Sequence, residues 1–280
     1  MQNNISLKGL IKRFWKKTIW TWSLVFLEGS AMLMFPLVIG WAVDDLISKS
    51  FTGVFQLAGL CLGLLIVGAA RRFYDTRVYG TIYKTVSNEM VCRQIDSQTN
   101  ISKIAARTNL FSEFIEFLEN SVPGLFSHLI GLVGTLVIIS FIDIRVFLAC
   151  LAGAAITSII FYFSQNKMLY LNKGQNDEFE KQVDLISSHD RSKIKTHFSL
   201  LTRWNIRLSD LETINFSLTW VALSFALLFT IVVAGSSETA TFGQVITIVM
   251  YVFGFIESIL TFPLYYQQTI RLQEIASRLG

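Results

Sequence analysis

The run from Thr241 to Leu279, TFGQVITIVMYVFGFIESILTFPLYYQQTIRLQEIASRL, admits few structures. It is too long and too apolar for an ordinary soluble helix, and a bilayer core needs only about 20 apolar residues. Yet its apolar part holds a carboxylate, Glu257. Steps of three and four from Glu257 reach Gly243, Thr247, Met250, Gly254, Thr261, Tyr265 and Gln268, nearly all small or polar. Ile, Val, Phe and Leu fill the positions between. One helix face is therefore polar and the rest is lipid-like. A membrane helix with such a stripe turns it toward a bundle interior or a water-filled cavity.

The rest of the chain has the same character. Hydrophobic residues make up 52% and charged residues 16%, which excludes a soluble single-core domain of ordinary make-up. The net charge of +4 is small. Its basic residues flank apolar runs and form no nucleic-acid patch, so no nucleic acid is expected as a partner. Cys61, Cys92 and Cys150 stand far apart, with neither a disulfide framework nor metal spacing. The first apolar run follows a basic amphipathic start, lacks a small-residue cleavage site and is too long for a signal peptide.

Residues 1–17 contain SLKGLIKRFWKK, with Lys8, Lys12, Arg13 and Lys16 around one side, which predicts an interfacial elbow helix. The other reading of that segment is a plain basic tail. Six spans follow, at about 18–43, 55–75, 120–141, 146–164, 214–234 and 244–266. Pro36 bends the first, and Trp20 and Trp22 sit where an aromatic belt would lie. The second contains Gly59 and Gly63 at a spacing that permits close helix contact. No proline or turn cluster interrupts the sequence after Ala70, so this helix is expected to leave the bilayer and run to about Asp96. A connection near Gln98–Thr108 leads to the third helix, which begins outside the membrane. The fourth helix starts at a tight turn around Asp143–Arg145 and also continues as a polar helix. The basic segment HDRSKIKTHFSLLTRWNIRLSD is read as a connection to the fifth span. Lys and Arg concentrate in the N-terminus, in residues 71–107 and in residues 167–207. The positive-inside rule then places both termini in the cytoplasm.

An elbow helix, six spans and two long intracellular helix pairs resemble the membrane region of type I exporter-fold ABC transporters. PLVIGWAVDDLI at the end of the first helix and ARRFYDTRVYGTIY in the second resemble that family's segments there. The resemblance covers essentially the whole chain. It implies an all-α membrane protein, with six long transmembrane helices, an N-terminal elbow helix and two cytoplasmic helical hairpins. It also implies a homodimer that transports a small molecule or peptide by alternating access, and hairpin tips near Ser102, Lys103 and Lys193 that touch a motor domain. No GxxxxGK[ST] phosphate loop occurs, and Gly280 ends the sequence where a nucleotide-binding domain would begin, so no ATP hydrolysis and no cofactor are expected of this chain. It looks most like the stand-alone six-helix ABC membrane regions of bacterial inner membranes. Its energy would come from a separate ATPase subunit, or from a proton gradient as in peptide-uptake permeases that share the fold. A scaffold or regulatory protein that transports nothing is the alternative.

Five residues are candidates for a substrate or proton pathway. Glu28 and Glu257 are carboxylates within spans, where an ionised group costs about 2.5–3.5 kcal/mol or more unless it is neutral, paired or wet. Glu28 is either a protonatable site or a structural carboxyl. Gly254 and Thr261 share the Glu257 face, and Gly254 leaves room for a ligand or a neighbouring helix. The resemblance places the first and sixth helices around a central cavity. His128 lies on a face with Ser121, Gly124, Gly131 and Thr135, so it is either a satisfied packing histidine or a proton relay. Arg71, Arg72, Asp75 and Arg77 mark the inner interface through snorkelling and helix-stabilising pairs. No nucleophile–base pair or metal cluster is visible, which argues against an enzyme.

Overall fold

A computed structural model of the chain describes residues 7–96 and 101–279; the side chains of 7–12, 102, 103, 106, 184 and 264–279 lie outside that description. The chain is nearly all helix. In order it forms α1 (Leu7–Leu33), α2 (Phe35–Ile47), α3 (Thr52–Asp96), α4 (Ile101–Glu116), a π-helical turn (Phe117–Ser121), α5 (Val122–Ile142), α6 (Ile144–Glu180), α7 (Gln182–Ser187), α8 (Arg191–Gly235) and α9 (Phe242–Leu279). Among the described residues, six helical stretches are long and apolar enough to cross a membrane. At 1.5 Å per residue, the 45 residues of α3 run about 67 Å. A hydrocarbon core is about 30 Å thick, so roughly half of α3 lies beyond it. The same holds for the 45 residues of α8.

The helices fall into two compact units, one of residues up to Ile142 and from Ala234 on, the other of Asp143–Val233. In the first unit, α9 packs on α2 and α5, and α3 packs on α1, α2 and α4. Outside the membrane-length apolar part, Val78, Tyr79, Ile82, Val86 and Met90 of α3 bury themselves against Phe111, Phe114 and Ile115 of α4. In the second unit, α6 and α8 run antiparallel. Ser164 accepts from the amide of Asn215 at 2.7 Å, Gly174 lies under the Trp204 ring, and Glu178 meets His197 at 2.8 Å.

Several boundaries differ from the sequence reading. Residues 1–6 of the elbow lie outside the described residues. From Leu7 the helix runs into the first span through a kink at Phe14, where the backbone leaves helical values. That span then breaks at Met34 into α1 and α2. Pro36 has no N–H for the Met32 carbonyl one turn back, and α9 supplies donors to the carbonyls beside the break. Tyr251 Oη donates to the Leu33 carbonyl at 2.6 Å and faces the Leu37 amide, while Thr247 Oγ1 donates to the Pro36 carbonyl at 3.1 Å. A side chain inserted into a helix ladder is a recognised cause of such breaks. The connection read at Gln98–Thr108 is already helical from Ile101, because Ile104 is buried; Gln98 lies outside the described residues. The basic segment read as a connection is helical from Arg191. Its His197, Leu201 and Leu211 repeat on one face and are buried, an amphipathic pattern that its charges mask in the sequence.

One end of the first unit is tied together by the Asp44–Asp45 pair. Asp44 accepts from the Gly243 amide at 2.8 Å and from Thr241 Oγ1 at 2.5 Å, so it caps α9 across the bundle. Asp45 accepts from the Gly53 amide at 2.7 Å and caps α3. Gly40 and Gly243 let the backbones of α2 and α9 touch; a Cβ at either would collide with main-chain atoms of the other. Gly59 and Gly63, by contrast, face open space.

Candidate functional site

The buried face of α9 decides where Glu257 points. Ile248, Tyr251, Val252, Phe255 and Ile256 are almost wholly buried. Their packing turns Gly254 and Glu257 to the side of the helix that borders α1, α2 and α5. There a cavity of about 400 Å³ opens among Gly29 and Met32 of α1, Phe35 and Pro36 of α2, His128, Gly131 and Thr135 of α5, and Met250, Gly254, Glu257 and Ser258 of α9. Most of the lining is apolar. Its polar groups are the hydroxyls of Ser127, Thr135, Tyr251 and Ser258, the His128 ring and the Glu257 carboxylate. The Ser258 hydroxyl is already engaged with the Gly254 carbonyl at 2.9 Å. Among the described residues no basic side chain pairs with Glu257, whose side chain stays exposed.

Of the residues picked out from sequence, His128, Gly254 and Glu257 come together in this cavity. Thr261 sits one turn along α9, and its hydroxyl donates to the Glu257 main-chain carbonyl. Glu28 does not join them. It faces α3, where Arg71 Nε donates to Glu28 Oε2, and Arg71 Nη1 reaches Asp75 Oδ2 at 3.4 Å. Of the hairpin-tip residues, Lys193 is exposed in the first turn of α8, its ammonium 3.7 Å from Asp190. Asp190 caps α8 by accepting from the Ser192 and Lys193 amides at 3.0 and 3.3 Å. Those amides hold its carboxyl below the usual range. Ser102 and Lys103 fall in the first turn of α4, and their side chains lie outside the described residues.

Sequence reasoning missed Ser127, Ser258 and Tyr251. The two serines flank His128 and Glu257, so their hydroxyls inside apolar runs were a usable signal. Tyr251 had none, because the broken helix it serves lies 218 residues away.

Residues 7–243 match the family described as ABC transporter transmembrane region. No curated protein matches the chain at a significant level. The match covers well over half of the sequence, and the chain belongs to that family: it is a multi-pass membrane protein carrying an ABC transporter transmembrane region.

Proposed function

We propose that this chain is the membrane-spanning subunit of a homodimeric transporter that moves a small molecule or peptide across a bacterial inner membrane by alternating access, with both termini in the cytoplasm. The observation that carries this reading is the cavity beside α9, a largely apolar chamber of about 400 Å³ lined by His128 and by Glu257, which meets no basic side chain among the described residues. That volume suits a drug-sized solute. A positively charged group on the solute, or a proton, is the natural counterpart of Glu257. Two drives fit the fold. A separate ATPase subunit would dock at the ends that carry Ser102, Lys103 and Lys193, or a proton gradient would be taken up through the cavity.

Reconstitution in liposomes tests the reading. Candidate cationic solutes and peptides are offered under an imposed proton gradient, or under ATP with the candidate ATPase. A hydrogen bond to a charged group contributes about 1.5–3 kcal/mol, so Glu257→Gln should raise the half-saturating solute concentration roughly tenfold or more. If the proton is the drive, the same variant abolishes coupling and still folds and dimerises. A Gln variant that transports like the wild type ends the assignment of Glu257.

A further inference from the structure

A second buried carboxylate lies outside the cavity. Asp75, on α3, is only 3% exposed. Its Oδ2 has one contact, Arg71 Nη1 at 3.4 Å, which is long beside the ~2.7–2.9 Å of a charged N–H···O bond. Its Oδ1 completes no hydrogen bond of ordinary geometry. From α1 the Thr21 hydroxyl faces the same carboxylate. Thr21 is fully buried, and its Oγ1 also completes no hydrogen bond of ordinary geometry. Two orphan oxygens thus confront each other in the α1–α3 seam.

The charges around them are unbalanced. Among the described residues Arg71 is the cation that reaches it, and its Nε is committed to Glu28 of α1. Glu119, in the π-helical turn, adds another negative charge and is held there by the Thr76 hydroxyl at 2.9 Å. Tyr79, one turn along α3 and 3% exposed, is a neutral phenol near both carboxylates. Glu28 and Asp75 therefore share one guanidinium, with the Glu119 charge close to Asp75. A buried ionised group with an unsatisfied oxygen is strongly disfavoured. The Thr21 hydroxyl can donate to Oδ1 but brings no charge, whereas a proton on Oδ1 removes one negative charge from the seam and lets the acid O–H donate to Thr21 Oγ1. Arg71 engages Glu28 through Nε and stands 3.4 Å from Asp75 Oδ2, a contact too long to offset a buried charge on Asp75 fully.

We infer that Asp75 is a proton-binding site in the α1–α3 seam, holding H⁺ between its Oδ1 and Thr21 Oγ1 while Arg71 pairs with Glu28. When the proton passes to water, the carboxylate formed competes with Glu28 for Arg71. Proton occupancy at Asp75 thereby selects which helix the guanidinium ties to α3. This inference does not rest on the cavity, and it stands whether or not the chain transports.

Infrared spectroscopy of the full-length protein in lipid nanodiscs tests it. At neutral pH the wild type should show the C=O stretch of a protonated carboxylic acid. Asp75→Asn should remove that band, Thr21→Val should shift it, and raising the pH should bleach it. Glu257→Gln should leave it in place, which separates it from any signal of the cavity. Asn is a neutral near-isostere of a protonated Asp, so Asp75→Asn should elute and melt like the wild type. A carboxylic-acid region unchanged by Asp75→Asn overturns the inference. So does a variant that fails to fold, because the seam would then require the ionised carboxylate.

Discussion

Tyr251→Phe isolates the contact that holds the break in the first span. Tyr251 is 2% exposed, and its hydroxyl sits where the Leu33 carbonyl and the Leu37 amide would have met each other in an unbroken helix. Phenylalanine keeps the ring and its packing and removes only that oxygen. Removing one partner of a buried hydrogen bond costs about 1–3 kcal/mol, the penalty of the backbone group left unsatisfied, and the expected loss is of that order. The assay is reversible unfolding of the purified protein in detergent, with Tyr162→Phe as control because Tyr162 is 67% exposed. Thr247→Val removes the neighbouring bond to Pro36, and the double variant should lose less than the sum of the two, since both residues serve one break. A Tyr251→Phe loss within about 0.5 kcal/mol of the control would refute the bridging role, that being the range of ordinary surface changes.

Two other perturbations follow from the helix ends and from the pair α6–α8. Asp44→Ala strips the cap of α9 and should cost about 0.5–2 kcal/mol in the same unfolding assay, with Asp44→Asn recovering part of it. Glu178 lies about 20 Å beyond the span of α6 at 1.5 Å per residue. The His197 ring at 2.8 Å, followed by Lys181, holds its carboxyl below the usual range. A carboxyl depressed in the folded state adds stability that is complete above its ordinary value of about 4.3 and disappears as the pH falls through the folded value. Melting followed by circular dichroism should therefore fall more steeply with acid in the wild type than in Glu178→Gln, and identical acid profiles would show that the pair contributes nothing.

The amino-acid sequence by itself determined that this chain crosses a membrane six times, that α3 runs on to Asp96, and that α9 carries a polar stripe. Those are properties of a helix taken alone. Hydropathy over a window sets which segments enter lipid, and a period of 3.6 residues sets which side chains share a face. Periodicity says that a face is unusual and is silent on what it meets. Glu28 and Glu257 look alike in the sequence, each an acid inside an apolar run. Only the tertiary structure separated them, by setting Arg71 of α3 against Glu28 and, among the described residues, no cation against Glu257. The helix break was half legible. Pro36 announced the bend, but the side chains that bond the backbone beside it, Thr247 and Tyr251, come more than 200 residues later. The same holds for Asp44, which reads as the end of a span and serves as the cap of another helix. The orphan oxygens of Thr21 and Asp75 exist only because α1 and α3 pack face to face, since in an isolated helix each could still find a partner.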